Sequence, residues 1–572
     1  MRVKSNKFLS ALCCVILALP MFAVTGCFFN SGVRIDHTRT QLYIAYFDGA
    51  AGREWLDAVI EAFEYEHMDV SFQEGRTGVQ VIVHYGKERW TGDLFYDSIS
   101  SGQQDVFFTQ YVSVAHAALN GFIMDITDMV REPFDYVDLG DGYHKYSISD
   151  KIQCENQRRF YQVNIDGENR YFGLESFTAI NGIIYDVDLF HANNLFFREG
   201  DTVPNGNLDS TNLQTGPTGN TDSNAFDRGL PQTWNQFVVL MDTMRARGII
   251  PFTWSGMWTY QRAYLFNAIW ASYEGYNDYM MNATLSGTAQ FDSHRYSAGD
   301  VITEENAWRL ATQYGKLATV SAMHDIVSNA GNFSPNAFRT TSTHIDAQME
   351  FLRSRIPGGN RTPIAMLVES SYWENEANAI FDEIVVFHGQ AWSRENRRFG
   401  HLPIPRFIDS YTSCGFRIPD QQNTELTLGG DGMNQIFISN NARQPELAKR
   451  FVQFTFRNDM ISLFTGTSGI TRTHKHVLLP EHYAMLSYYQ RSVYELFRNS
   501  RVTNAFYNTS QLMSESLTNY FNFWEGSIRI GNQVFTEPMN SFRQNRNLTA
   551  RQWWESYGAN YTEENWPRLR GS

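Results

Sequence analysis

Hydrophobic positions in this chain fall into short continuous runs separated by stripes of helical spacing, the pattern of alternating strands and helices. Leu42-Tyr43-Ile44-Ala45-Tyr46-Phe47 has the length of a strand. Asp48-Gly49-Ala50-Ala51-Gly52 turns the chain, and Trp55, Leu56, Val59, Ile60 and Phe63 then share one helical face. Val79-Gln80-Val81-Ile82-Val83 is a second strand and Asp105-Val106-Phe107-Phe108 a third, so the chain opens with a strand-helix-strand unit and a parallel sheet. A short helix covers 112–120 and stops at Gly121.

Further on, Tyr171-Phe172-Gly173-Leu174 leads through Glu175 to Asn181 and into Gly182-Ile183-Ile184-Tyr185-Asp186, an extended crossing followed by a buried strand. The stretch 198–228, rich in Gly, Asn, Thr, Ser and Asp, has too little apolar surface to order itself and reads as a mobile surface insertion. Thr233 and Gln236 fit a capping box opening a helix whose stripe is Trp234, Phe237, Leu240, Met241 and Met244. Ile364-Ala365-Met366-Leu367-Val368 is a buried strand ending at Glu369-Ser370-Ser371-Tyr372-Trp373. Pro445 starts a helix with Leu447, Ala448, Phe451 and Val452 inward. Beyond residue 480, helical aromatic patterns dominate, with Trp524, Trp553 and Trp554 among them, and the sequence carries no internal repeat.

The N-terminus changes the setting. Arg2, Lys4 and Lys7 precede an apolar run, 8–24, that is interrupted by Pro20 and shorter than the roughly 20 residues a spanning helix needs. This is the pattern of a secretory leader. Val24-Thr25-Gly26-Cys27 resembles the bacterial lipobox, in which cleavage before the cysteine leaves Cys27 to carry lipid. Two or more acyl chains make such anchoring durable. The expected arrangement is a leader at 1–26 and a lipidated tether at 27–40, placing the body on the extracytoplasmic face of a bacterial membrane.

The 572 residues are enough for two large lobes. Formal net charge is -14, and the leader is cationic, so the remainder is more acidic still. That argues against nucleic acid and against adhesion to anionic lipid. Beyond the leader and Cys27 only Cys154 and Cys414 remain, either as one disulfide or as two buried thiols. Aromatic residues make up 15%. Rings that pack on flat sugar faces, beside carboxylates and amides that bond hydroxyls, fit a carbohydrate binder.

Several stretches, in order, carry a family likeness. They are Phe47-Asp48-Gly49 with Gly52-Arg53-Glu54-Trp55; Asp105-Val106-Phe107-Phe108 with Gly121-Phe122-Ile123-Met124-Asp125-Ile126-Thr127; Gly182-Ile183-Ile184-Tyr185-Asp186 with Leu189-Phe190; Pro231-Gln232-Thr233-Trp234; and Gly429-Gly430-Asp431-Gly432-Met433 followed by the helix after Asn441. Together they resemble the sugar-binding extracellular solute-binding proteins of ABC importers, which include maltose-binding protein. The resemblance implies an α/β, two-lobed periplasmic-binding-protein-like fold of type II, with ligand in a cleft between lobes joined by about three crossings. It places lobe I at 41–170 plus 401–460 and lobe II at 171–400 plus 461–572. It implies a monomer without cofactor or catalytic activity that captures an oligosaccharide and delivers it to ABC permease subunits. Glu175, where the family usually has a small residue, and the 198–228 insertion depart from the pattern.

Candidate chemistry is sparse. His474 and His476 have a spacing that could ligate metal but more commonly ligates nothing. Asp48, Asp105, Glu175, Glu369 and Asp431 stand near strand ends, where a glycosidase could draw a carboxylate pair. An exported glycan-active hydrolase is therefore the competing reading, and a binder of peptides or other solutes on the same fold is a third. By the family pattern the ligand-binding residues are Asp48, Gly49, Gln110 and Tyr111 from lobe I, Asn181, Trp254, Trp258, Tyr372 and Trp373 from lobe II, and Asp431 in the returning segment. Trp373 is the ring expected to stack on sugar.

Overall fold

The computed structural model describes residues 34–198, 200–204, 229–358, 361–411, 416–430, 434–504, 523–524 and 526–570. The leader, Cys27, Cys414, Asp431 and nearly all of the 198–228 insertion lie outside the described residues.

Two mixed sheets organise the chain. Their strands are β1 (Thr40–Phe47), β2 (Val79–Gly86), β3 (Val106–Gln110), β4 (Leu174–Phe177), β5 (Ile180–Asp186), β6 (Ile250–Thr253), β7 (Ile364–Ser370), β8 (Phe399–Leu402), β9 (Thr427–Gly430), β10 (Asn434–Ile438) and β11 (Arg501–Asn504). The first sheet has the order β2-β1-β3-β10-β4, and the second β6-β7-β5-β9-β11 with β8 also paired to β5. β1, β2 and β3 are parallel, as the strand-helix-strand pattern requires, whereas β10 runs antiparallel to both β3 and β4. In the second sheet β5 runs antiparallel to β7, β8 and β9.

The helical stripes bury as their spacing dictates. α1 (Glu54–Glu66) turns Trp55, Leu56, Val59 and Phe63 inward. α2 (Trp234–Ala246) buries Trp234, Phe237, Leu240, Met241 and Met244 behind a Thr233–Gln236 capping box. The long α3 (Thr259–Thr284) breaks at Gly275, whose φ of 75° suits glycine, and a Cβ there would press on Asn423. α4 (Tyr314–Val327), almost wholly buried, packs against α3 and against the C-terminal helices Pro538–Gln544 and Ala550–Gly558. Trp553 and Trp554 are buried there. A hairpin, Ser527–Ile530 with Gln533–Thr536, interrupts the expected helical C-terminus. Among the described residues no helix is long and apolar enough to cross a membrane.

The strand partners redraw the lobes expected from the sequence. The chain leaves the first sheet after Phe177 and enters the second at Ile180, so 171–177 belongs to lobe I. Residues 401–430 contribute β9 and the end of β8 to lobe II, and the chain returns between Gly430 and Asn434. α5 (Trp373–Glu376) follows β7 in lobe II. α6 (Pro445–Thr455) and α7 (Asn458–Ser468) both pack on α1, so lobe I extends at least to Ser468, and the helix Pro480–Met485 beyond it still packs on α7. The third passage follows and leads to α8 (Tyr488–Arg498), which packs on β8. Helical periodicity cannot locate these crossings, because only strand pairing decides which sheet a short segment joins.

Glu175, the departure noted in the sequence, ties two passages together. Its buried carboxylate accepts from Gln157 Nε2 at 2.9 Å, from Thr178 in the first passage, and from Thr473 in the third. A small residue there would leave those donors unpaired.

Candidate functional site

The lobes meet where β1 and β3 of one sheet and β7 of the other end. Asn375 in α5 donates Nδ2 to the carbonyl of Ala50, just past β1, at 3.1 Å, and to that of Ser468 at 2.6 Å. Lys87, just past β2, acts electrostatically on Glu376 and His344 of lobe II. In open α/β sheets this carboxyl-end edge is where ligands lie.

On lobe I, Gly49, Gln110, Ser176 and Asn434 line a small cavity of about 20 Å³ at the strand ends. Gln110 donates to Asn434 Oδ1 across the β3–β10 pair, which sets both amides in register. Tyr111 is 57% exposed and holds φ at 59°, an uncommon conformation for a non-glycine residue and one that clusters at functional sites. Asp48 is engaged by the Arg53 guanidinium, which lies over the Tyr85 ring at 4.2 Å, so its carboxylate also fixes the turn from β1 to α1.

On lobe II, a polar patch surrounds the end of β7. Glu369 accepts from Gln261 Nε2 at 2.9 Å and from the Ser370 amide at 2.9 Å. Gln348 Nε2 reaches both Glu369, at 3.4 Å, and Glu376, at 3.2 Å. Burial pushes both carboxyls well above the ordinary range, and the charge of Glu376 adds to the rise at Glu369. Four buried atoms here have no hydrogen-bond partner among the described residues: Asn181 Oδ1, Gln261 Oε1, Gln348 Oε1 and Ser370 Oγ. Asn181 sits opposite Ser370 in the β5–β7 register and opposite Gly429 in the β5–β9 register. Buried polar atoms of this kind are ordinarily satisfied by a partner, so a cluster of them at the end of β7 makes this a candidate site.

The aromatic expectations divide. Trp258 is 38% exposed at the start of α3, its amide bonded to Ser255 Oγ. Gly256 makes the approach possible, since a Cβ there would meet the Arg339 backbone. Tyr372 is half-buried, with its hydroxyl 3.4 Å from that of Tyr264. Trp254 and Trp373 are corrections. Trp254, 1% exposed, packs among Phe252, Phe333 and Phe338, because it continues the alternation of β6 toward the core. Trp373 is 0% exposed and is enclosed by Phe351, Phe381, Phe399 and Tyr489, with no face left for a ligand. The helical turn of α5 directs it away from its neighbour Tyr372, which stays half-buried beside Tyr264.

Sequence reasoning missed Asn375, Glu376, Gln261 and Gln348. For Asn375, Glu376 and Gln261 the signal was weak, since a four-residue helix and the first turn of α3 have no periodicity of their own, whereas Gln348 lies on the buried face of the helix His344–Arg353, where a polar residue stood out only against its apolar neighbours. Among the described residues, each acidic strand-end carboxylate has structural partners of its own. Asp105 caps backbone, accepting from the amides of Tyr43 at 2.9 Å and Arg443 at 2.7 Å, and Glu175 is bound up in the lobe passages. Cys154 lies against the Tyr276 hydroxyl.

Comparison with solved structures agrees with this architecture. A "probable secreted solute-binding lipoprotein from Streptomyces coelicolor" superposes with a TM-score of 0.51 at 14% identity, covering 92% of this chain and 99% of that one. A chitin oligosaccharide binding protein (TM-score 0.49, 14% identity, 93% and 100% covered) and RafE in complex with raffinose (0.49, 12%, 92% and 100%) are also similar. At such identity the likeness is one of fold: the chain has the two-lobed fold of solute-binding proteins. No family model and no curated protein matches the sequence.

Proposed function

We propose that this protein is a lipid-anchored extracytoplasmic solute-binding protein that captures a carbohydrate, an oligosaccharide, by lobe closure and delivers it to the permease of an ABC importer. The observation that carries the reading is the cluster of unpartnered buried atoms around β7, Asn181 Oδ1, Gln261 Oε1, Gln348 Oε1 and Ser370 Oγ, beside the partly exposed rings of Trp258 and Tyr372. Vicinal hydroxyls both donate and accept, so a glycan can satisfy such a mixed set, while its apolar ring face packs on an aromatic. Two lobes closing over it bury more of the ligand than either could alone, the hinge mode of periplasmic binding proteins. The lipobox-like segment ending at Cys27 supports the anchored, extracytoplasmic setting.

A thermal-shift screen over mono- and oligosaccharides, amino acids and peptides tests the reading, because a ligand that binds only the folded state raises the melting temperature by mass action. A shift from oligosaccharides, confirmed by calorimetry and without release of reducing ends, is the expected result. Shifts confined to amino acids or peptides would replace the substrate class, and reducing-sugar release would replace binding by hydrolysis.

A further inference from the structure

A second cavity, of about 550 Å³, lies beside the third passage between the lobes, and nothing in the proposed function uses it. Thr471–His476 forms one wall; Gln153 and Cys154 of lobe I, and Tyr276, Arg498 and Arg501 of lobe II, form the others. It is far from the β7 site. Gln261 and Glu274 are 13 residues apart in the unbroken part of α3, about 20 Å at 1.5 Å per residue, and Tyr276 follows the break at Gly275. A volume in the range of ordinary ligand pockets, contacted by both lobes, already asks what fills it.

The wall chemistry answers in part. Arg472 is 1% exposed, yet among the described residues its guanidinium has no carboxylate partner. One Nη donates to the Thr455 carbonyl at 2.7 Å, the face of the group lies over the Phe464 ring at 4.7 Å, and Nε and Nη2 have no acceptor. His474 is also 1% exposed, and neither of its ring nitrogens has a partner. His476 Nδ1 is tied to the His474 carbonyl, leaving Nε2 without one, and Thr471 Oγ1 is likewise buried and unpartnered. Lys475, Arg498 and Arg501 add positive charge at the rim. The one carboxylate among the described lining residues, Glu155, is 61% exposed and engaged by Arg158 and Arg159. Arg498 and Arg501 also have carboxylate neighbours, Glu495 at 3.4 Å and Glu425 at 3.9 Å, while Arg472 has none among the described residues. In a chain of net charge -14, a cavity walled by donors and cations runs against the overall balance. A metal is a poor fit, since among the described residues no three His, Cys, Asp or Glu side chains gather to hold one.

We infer that this cavity is a second binding site, for a small organic oxyanion such as a phosphate monoester, received by Arg472, His474 and Thr471 from the passage and by Lys475 and Arg501 at the rim. Charge-assisted bonds from guanidinium and ammonium groups are the strong class of hydrogen bond, and oxyanions are the ligands they suit. Because both lobes contribute, an occupant bridges them at the hinge side, away from the β7 junction.

Isothermal titration with glycerol 3-phosphate, inorganic phosphate and acetate, at constant ionic strength set by chloride, tests the inference. The expected result is saturable one-to-one binding of glycerol 3-phosphate, weakened at least tenfold in Lys475→Ala/Arg501→Ala, whose altered side chains are exposed enough to spare the fold, and unchanged in Trp258→Ala. Saturable binding of acetate instead, with the same response to the variants, would make the occupant a carboxylate and overturn the phosphate assignment. Absence of saturable heat at millimolar concentration, an equal response to chloride, or binding that the rim variant leaves intact would overturn the site. Binding lost in Trp258→Ala would place the anion at the β7 junction, which also overturns it and bears separately on the glycan reading.

Discussion

Asn375 of lobe II donates its side-chain amide to the backbone carbonyl of Ala50 in lobe I, 3.1 Å away, and so spans the junction at the edge where the β1 and β7 strands end. The same amide reaches the Ser468 carbonyl at 2.6 Å, and Arg394 approaches Asn375 Oδ1 at 3.5 Å from behind. One side chain thus holds the turn after β1 and the end of α7 against α5. Besides the Arg394 contact within lobe II, Asn375→Ala removes the two neutral hydrogen bonds to lobe I, each worth about 1 kcal/mol net, so the joined arrangement should weaken by about 1–2 kcal/mol. Calorimetry should then show ligand affinity falling about five- to thirtyfold, and solution scattering a larger radius of gyration without ligand. Unchanged affinity and radius would mean that the contact has no part in closure.

The fate of the tryptophans separates core from cleft. Trp373→Ala opens a hole among Phe351, Phe381, Phe399 and Tyr489 and should destabilise by about 3–5 kcal/mol. Trp258→Ala and Tyr372→Ala, at the junction and partly exposed, should leave the ligand-free melting temperature nearly unchanged while weakening sugar binding about tenfold or more. Paired melts and titrations on the three variants check this. A destabilised Trp258→Ala with normal affinity would move that ring into the core as well.

Much of this was legible before any coordinates. The stripes of α1 and α2, the buried runs of β5 and β7 and the capping box at Thr233 follow from residue spacing, because burial of one face is a local property of a periodic segment. Side-chain direction at the end of an element is not local. Tyr372 and Trp373 are adjacent, and which of them the core encloses depends on the single turn of α5, so the larger ring drew the expectation while the smaller one stays partly exposed. Glu175 shows the same limit. Its identity marked a departure from the family pattern, but its role required the passages that bring Gln157, Thr178 and Thr473 around it.

Anchoring rests on the segment Val24-Thr25-Gly26-Cys27. Cys27→Ser removes the thiol that would carry lipid and should shift the protein from the membrane fraction to the soluble extracytoplasmic fraction with its melting temperature intact. Fractionation with immunoblotting reads the outcome. A variant that sediments with membranes as the wild type does would place the anchor elsewhere.

Buried carboxyls at the β7–α5 end give the protein a pH signature of known sign. Glu374 is 1% exposed, and desolvation pushes it up to about 7, with Arg394 offsetting only part of the rise; Ser487 donates to it at 2.6 Å. In the unfolded chain a glutamate ionises near 4.3. Between about 4.3 and 7 the folded state therefore binds more protons than the unfolded state, and this group's contribution is complete below that window and lost as pH rises through it. Glu369 and Glu376, also raised by burial, act in the same direction. His401, pushed down to about 4 by burial, acts oppositely, costing stability as pH falls below about 6.5, and the buried His474 and His476 do likewise. The wild-type melting curve mixes these effects, so the informative quantity is the difference between wild type and Glu374→Gln, whose amide imitates the neutral acid. The two should be close in stability at pH 5, and the variant should gain on the wild type toward pH 8 by on the order of 2 kcal/mol. Denaturant melts at each pH measure the gap. A gap that stays constant from pH 5 to 8 would mean that Glu374 is ionised in the folded protein, and that the polar end of β7 is better solvated than its burial indicates.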